Sequence, residues 1–430
     1  MARWKPLRVR YDKTAEFRAG GRNFGNAYHV ANNNWKTIHN PITLDMITTG
    51  NNIPDTVEDD DVYYNRKAKS MLTRPLRDFH NLVVKKKLIT SVSQRGNTLI
   101  DFAVGKGGDF SKWIASKLNF VFGIDVSPDN IENKIDGACA RYLNHKKQYK
   151  NMPYALFVTG DSSKNIKSTI AINTERDKIT TRAVFSEGPK SEDKLGKGVL
   201  RQYGKGLKGF NVSSCQFALH YFFENRHKCE AFFKNVAECT ELGGYFIGGC
   251  YDGSLIFNDL RNKKPGESMI IMKGDKKMWE VTKDYDKSAF NPDNSSLGYT
   301  INVFQESINK TFAEYLVNFE YLTNIMERFG FIPLPEEEAR DIGLRSGIGS
   351  FKEIFDDLKS TIKRKPYLQK DIGQSLDMSV EEKTISFYNK YFIFKKIRIV
   401  DTNSVGESIS DVSESASKVI AKEETVINKS

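Results

Sequence analysis

The sequence predicts an α/β protein built on an open sheet whose first strand ends in a ligand-binding turn. Three observations predict it. In LIDFAVGKGGDFSKW (residues 99–113), Gly105, Gly107 and Gly108 break a short apolar run, and Phe110, Trp113, Ile114 and Leu118 then recur at helical spacing. That pattern reads as buried strand, tight turn and helix. A second strand, FVFGIDV, ends in Asp125 and is followed by Ser127 and Pro128, where an N-cap and a first helical residue belong. A third strand, YALFVTGDSS, ends in Asp161. Strands alternating with helices are how open α/β sheets present a ligand at their carboxyl ends.

Upstream of the glycine turn, KSMLTRPLRDFHNLVVKKKLI carries Leu76, Phe79, Val83 and Leu88 on a helix-like spacing, with a basic cluster at Lys85, Lys86 and Lys87. After Asp125, the residues Ile131, Ile135, Ala138 and Tyr142 follow at steps of four, three and four, which predicts one helix. Residues 164–209 are rich in Lys, Arg, Gly and Ser with weak periodicity, and read as a mobile surface insertion or a substrate-facing lid. FNVSSCQFALHYFF is a fourth strand leading to Glu224, after which Cys229, Phe232, Phe233 and Val236 mark a helix. GGYFIGGCYDG is a turn and fifth strand. TFAEYLVNFEYLTNIMERFGF puts Phe312, Leu316, Phe319, Leu322, Met326 and Phe329 on one helical face ending at Gly330, and SFYNKYFIFKKIRIV reads as a long strand.

The 430 residues suffice for one large domain with attachments, or for two domains. Periodicity runs over 63–400. Residues 1–45 are basic and aromatic but too few to bury a core unaided. Residues 46–62 include the polar, acidic TTGNNIPDTVEDDD and read as a linker, and 401–430, rich in Ser, Glu and Lys without aromatics, as a disordered tail. A net charge of +11 favours partners that bear phosphates. Five cysteines, odd in number and without a CxxC, suggest neither a disulfide framework nor a zinc knuckle and point to a reducing compartment. With no apolar run near the ~18 residues of a membrane span, and no apolar core in the opening MARWKPLRVRYDK, the expectation is an intracellular protein without a membrane partner.

A strand, glycine turn and helix followed by a strand ending in an acid suits dinucleotides and S-adenosylmethionine alike, because glycines admit the cofactor to the backbone and the acid accepts from ribose hydroxyls. The loop Gly105, Lys106, Gly107, Gly108, Asp109 lacks the third glycine of a dinucleotide fingerprint. Asp109 at the helix start would repel a pyrophosphate, whereas it suits the cationic end of a methyl donor or caps the helix. A P-loop is excluded because Gly107, not Ser or Thr, follows Lys106. The string KIDG (residues 134–137) spells the KxDG of covalent nucleotidyltransferases, but Lys134 falls in the predicted helix off its apolar stripe.

Together, DFAVGKGGDFSKW, TGDSS, SCQFALHYFFEN, GGYFIGG and AEYLVNF closely resemble the mRNA cap (guanine-N7) methyltransferases. YHVANNNWKTIHNPIT resembles the region joining guanylyltransferase to methyltransferase in capping enzymes of large DNA viruses, and WKPLRVRYDKT the last motif of mRNA guanylyltransferases. Residues 1–45 are then the remnant of a guanylyltransferase C-terminal, OB-fold-like region, or a docking arm, and 63–400 the methyltransferase domain. The resemblance implies a Rossmann-like class I S-adenosylmethionine-dependent fold, with a mostly parallel seven-stranded sheet and an antiparallel strand near the C-terminus.

For the donor, S-adenosylmethionine, the resemblance implies Lys85 at the methionine carboxylate, Ala103 and Gly105 along the cofactor, and Asp125 at the ribose. It further implies Asp161 and Ser162 at the adenine edge, with Gln216 and Tyr221 closing the pocket. For the cap it implies Asn81, Lys106, Lys112, Arg141, Phe217, His220, Tyr221, Glu314 and Tyr388. Aligning YFIFKK puts Asn389 at the family's tyrosine position, with Tyr388 beside it. Guanine's N1–H and N2–H suit one carboxylate such as Glu314; Lys106, Lys112 and Arg141 suit a triphosphate, and Phe217 and Tyr221 offer stacking faces. The implied reaction moves the methyl to N7 of a GpppN cap, with no catalytic acid or base and no metal. Implied partners are the capped RNA 5' end and a guanylyltransferase/triphosphatase module or stimulatory subunit, in the cytoplasm if viral and the nucleus if cellular. The alternatives are a catalytically silent cap-binding module and a methyltransferase of another RNA.

Overall fold

The computed structural model describes residues 11–20, 72–306, 308 and 310–405. Two compact units divide the chain, Met1–Asp60 and Asp61–Ser430. In the first, Tyr11–Arg18 is a helix with Tyr11 exposed. The YDKT end of WKPLRVRYDKT is therefore helical; residues 4–10, the YHVANNNWKTIHNPIT segment, the linker 46–62 and residues 406–430 of the tail lie outside the described residues.

In the second unit a continuous helical stretch comprises Arg74–Asp78, Phe79–Lys85 and Lys86–Val92. Its apolar positions step by three, four and then five. The wider winding of the π-helical segment Phe79–Lys85 absorbs the longest step, so that Phe79, Val83 and Leu88 are all buried.

Twelve strands are described: β1 (Thr98–Asp101), β2 (Phe120–Asp125), β3 (Tyr154–Thr159), β4 (Phe210–Gln216), β5 (Thr240–Tyr251), β6 (Ser268–Lys273), β7 (Lys276–Asp284), β8 (Thr300–Gln305), β9 (Lys310–Tyr315), β10 (Phe331–Pro333), β11 (Ile348–Ser350) and β12 (Asn389–Lys396). The main sheet runs β10-β12-β5-β4-β1-β2-β3, with β11 also paired to β12. Strands β1 to β5 pair in parallel, and β12 runs antiparallel to β5, β10 and β11. This is the mostly parallel, Rossmann-like sheet expected, with its antiparallel strand near the C-terminus, but it has eight strands and not seven, because β11 adds to β12. Strand order reverses between β1 and β4, which opens a crevice at their carboxyl ends. There Asp101 lies beside Ser214 of β4 and Gly123 of β2.

Successive residues of these strands feed opposite faces. Ile100, Phe122, Phe392 and Phe394 join a phenylalanine-rich core on one side, whereas Leu99, Val121 and Ile393 join Phe110 and Trp113 on the other. Burial on both sides is why the strands read as continuous apolar runs.

Several elements differ from expectation. The predicted helix over 128–142 is two, Pro128–Glu132 and Ala138–Gln148, separated at Asn133; Ile135, assigned to its apolar stripe, is 65% exposed, and Lys134 lies in the break. Residues 164–209 hold the helices Glu175–Val184 and Glu192–Leu200 and send Ile166, Ile172, Val184 and Phe185 into the core. The fourth strand stops at Gln216, and Leu219–Phe223 is a 3-10 turn. The proposed helix over 312–329 is half strand: β9 occupies its first part, and the helix Phe319–Arg328 starts where the Asn318 side chain accepts from the Glu320 and Tyr321 amides. Strand β12 is shorter than read, because Ser379 and Glu382 form a capping box that starts the helix Val380–Phe387. A separate antiparallel sheet, β6-β7-β8-β9, stands beyond the elements that the sequence predicts. Residues 401–405, assigned to the tail, include Thr402, whose hydroxyl donates to Glu238 at 2.8 Å. No described helix is long and apolar enough to cross a membrane.

Candidate active site

The glycine turn is built around Asp125, which is 7% exposed at the end of β2. One carboxylate oxygen accepts from the Gly105 amide at 2.7 Å, and the other from the Ser127 amide and Asn130 Nδ2 at 3.0 and 2.9 Å. Gly105 has a φ of 54° and Gly107 of 71°, left-handed conformations that glycine adopts without strain. Burial raises the pKa of Asp125, and these three donors partly offset it. Ala103 stands beside it, its amide donating to Asp101 at 3.2 Å. Asp101 is pushed up to about 7 by burial and by the neighbouring Asp109 charge.

Asp109 does not cap the following helix, Phe110–Ala115. Instead it joins two lysines from different elements: Lys85 Nζ at 3.1 Å and Lys112 Nζ at 3.1 Å. Burial works against its charge, but the two ammonium groups outweigh burial and hold its pKa low. Lys112, 2% exposed, also donates to Gly108 O at 3.0 Å and to the Asn81 side chain. Lys85, expected at the donor, and Asn81 and Lys112, expected at the cap, thus form one cluster around Asp109, in which Asp109 and Lys112 are buried and Lys85 and Asn81 half-buried.

At the third strand end, the Asp161 carboxylate accepts from Ser163 N and Oγ at 3.0 and 2.6 Å and pairs with Lys164 at 3.3 Å. The Ser162 hydroxyl donates to Phe102 O at 2.8 Å, tying this loop to the end of β1. At the end of β4, Gln216 is 7% exposed and its Oε1 is buried without a hydrogen-bond partner among the described residues.

His220 and Glu314, expected at the cap, have a more unusual chemistry. His220, on the 3-10 turn, and Glu314, on β9, are 5% and 4% exposed, with His220 Nε2 at 3.6 Å from Glu314 Oε2. Both ring nitrogens of His220 and Oε2 of Glu314 are buried without hydrogen-bond partners among the described residues. Burial lowers His220 to about 3 and raises Glu314 to about 8. Native chains seldom leave such groups unmet unless a ligand or water meets them. The Tyr221 ring is 4.2 Å from that of His220.

Other expected cap residues are engaged elsewhere. Lys106 is 6% exposed, its Nζ 2.8 Å from Asp129 and 3.0 Å from Asp136. Burial opposes its charge, yet the two carboxylates raise its pKa. Arg141 donates to Lys106 O at 2.5 Å and lies over the Phe110 ring. Phe217, with a φ of 58° that non-glycine residues rarely adopt, stacks on His80 at 5.2 Å and lies under Lys85 at 5.8 Å. Tyr388 stacks on Trp279 at 5.3 Å and donates to Asp259. The neighbouring Asn389 is buried, its amide group donating to Ile385 O and Ser386 O.

A family model described as the mRNA (guanine-N(7))-methyltransferase domain matches residues 57–397. The chain belongs to this family. It is 27% identical over 440 residues to a probable mRNA-capping enzyme of Acanthamoeba polyphaga mimivirus, covering 95% of this chain and 36% of that protein. To the mRNA cap guanine-N(7) methyltransferase of Saccharomyces cerevisiae it is 25% identical over 327 residues, 75% of this chain and 64% of that protein. The chain therefore spans less than two thirds of the length of either relative. Among solved structures, a putative S-adenosylmethionine-dependent methyltransferase from Listeria monocytogenes overlaps 75% of this chain and 98% of its own, with 13% identity and a TM-score of 0.38.

For a family that transfers methyl groups, the residues fit a methyl donor at the strand ends. A buried carboxylate closes the glycine turn, Lys85 supplies a cation, and Gln216 leaves an acceptor unmet. Sequence reasoning missed the Asp109 bridge and the Asp129 and Asp136 partners of Lys106. A lysine in a glycine loop with acids 23 and 30 residues onward is no pattern by itself; only the break at Asn133 brings both acids to it. Among the described residues no cluster of His, Cys, Asp or Glu could hold a metal.

Proposed function

We propose that this chain transfers the methyl group of S-adenosylmethionine to N7 of the guanine in a GpppN RNA cap. The observation that supports it most is the pairing of buried, unmet Glu314 and His220 beside the strand-end crevice. A carboxylate can accept guanine's N1–H and N2–H together, which accounts for an acid in so costly a position.

On this reading Lys85 holds the donor's carboxylate, Asp125 its ribose hydroxyls, and Asp161 its adenine edge, with Ala103, Gly105, Ser162, Gln216 and Tyr221 lining the pocket. Bound there, S-adenosylmethionine supplies an electrophilic methyl on a sulfonium sulfur. Guanine N7 has a lone pair and no proton, so the chain need not move a proton. Its task is orientation, worth several kcal/mol when reacting atoms are held about 3 to 3.5 Å apart in line. Glu314 and His220 fix the guanine edge, and Arg141 meets the triphosphate. Lys112 and Asn81 support Lys85 through Asp109, while Lys106 braces the glycine turn against Asp129 and Asp136. Phe217 packs beneath Lys85.

Residues 63–400 form the catalytic domain in this reading, and the capped 5' end is its RNA partner. The capping-enzyme description of the mimivirus relative favours a guanylyltransferase module as a further partner. The test is incubation with methyl-labelled S-adenosylmethionine and either GpppA or pppA-ended RNA. Label in GpppA alone is expected. Label in uncapped RNA alone, or in neither, refutes the reading.

A further inference from the structure

We propose that the side-chain oxygen of Asn130 accepts one of the two ribose hydroxyls of the methyl donor, a role that rests on Asp125 standing at the ribose and divides the hydroxyls between the two side chains. An ionised carboxylate offers about four lone-pair positions. Among the described residues three donors already occupy Asp125: the Gly105 amide on one oxygen, and the Ser127 amide and Asn130 Nδ2 on the other. Room for one further donor remains, whereas the ribose brings two neighbouring hydroxyls.

Asn130 supplies the missing acceptor. It lies in the first turn of the helix Pro128–Glu132, where its amide donates to the capping Ser127 hydroxyl at 3.4 Å. The residue is 5% exposed, and its Oδ1 is buried with no hydrogen-bond partner among the described residues. Charge decides which end of the amide faces Asp125: only the NH2 group can meet a carboxylate, so the oxygen is the end left over. A buried acceptor without a donor is costly. Propping Asp125 through Nδ2 recovers none of that cost; a hydroxyl arriving with the donor does. Thr159, opposite Asp125 on β3, also buries an unpartnered hydroxyl. That hydroxyl turns freely and can donate as well as accept, whereas the Asn130 oxygen only accepts and the Nδ2 bond holds its amide beside the carboxylate. A hydroxyl donor therefore suits Asn130 better.

The test is calorimetric binding of S-adenosylhomocysteine and of its 2'-deoxy and 3'-deoxy forms. The proteins are the unaltered chain, Asn130→Ala, the bulkier Asn130→Leu and Thr159→Val, with thermal melting as the fold control. In the unaltered chain each deoxy form is expected to bind about 5- to 10-fold more weakly, the scale of one lost hydrogen bond. Both Asn130 variants should weaken S-adenosylhomocysteine by a similar factor and erase the penalty of one deoxy form while the other keeps it. Four results overturn the proposal and leave Asp125 at the ribose: only one deoxy form binding weakly to the unaltered chain, both penalties surviving in the Asn130 variants, both vanishing together as loss of a mere prop would give, or one vanishing in Thr159→Val instead. An unaltered chain that does not bind S-adenosylhomocysteine, or binds all three forms alike, overturns both.

Discussion

Glu314 is a carboxyl group that its surroundings keep protonated near neutrality. Burial raises it from 4.5 to about 8, so between those values the folded chain holds a proton that the unfolded chain has lost. Stability contributed at this position therefore falls as pH rises through that window and is level above it. Glu314→Gln should flatten that slope, making the ligand-free chain more stable at pH 8 by thermal melting. The cap needs the ionised form, so affinity for GpppA should strengthen from pH 6 to pH 8, by up to about tenfold per unit. Glu314→Gln should abolish this dependence and raise KM for GpppA at pH 8 by about 10- to 100-fold, the scale of a lost bidentate contact. A flat pH profile in the unaltered chain would contradict the assignment. Asp125 was legible because an acid ending the second strand has one geometric place to be. The environment of Lys106 was not, because its carboxylate partners lie across a helix break that spacing alone does not reveal.

The strands of the main sheet declare themselves because burial on both faces makes them continuous apolar runs. Strands β6 to β9 do not, since an antiparallel sheet with one wet face alternates polar and apolar residues. In TFAEYLVNF, Phe312 and Phe319 happen to match helical spacing, and only Asn318 as an N-cap marks where strand gives way to helix. One glycine of the main sheet is fixed by packing. A Cβ on Gly248 of β5 would lie 2.1 Å from Cys215 O and 2.5 Å from the Phe392 ring. Because β4 and β12 flank it, neither neighbour can yield cheaply. Gly248→Ala should cost about 3 kcal/mol, at the upper end for overpacking, and lower the melting temperature measured calorimetrically. An unchanged melting temperature would mean that the β4–β5–β12 spacing is looser than described.

The two halves of the crevice come from different parts of the second unit. In the function proposed above the donor side rests on β1, β2 and β4, the centre of the parallel sheet, and the acceptor side on a 3-10 turn and an edge strand of the antiparallel sheet. Asp109 and the lysines it joins link the glycine turn to the preceding helical stretch. The net charge of +11 suits a polyanionic acceptor, but charge alone does not select a capped 5' end; in the function proposed above that selection falls to the Glu314–His220 pair. The most direct measurement is where the methyl goes. GpppA labelled by this chain, then cleaved at its triphosphate bridge, should release all label as 7-methylguanosine monophosphate. Label in the adenosine half, or on a ribose oxygen, would contradict the account.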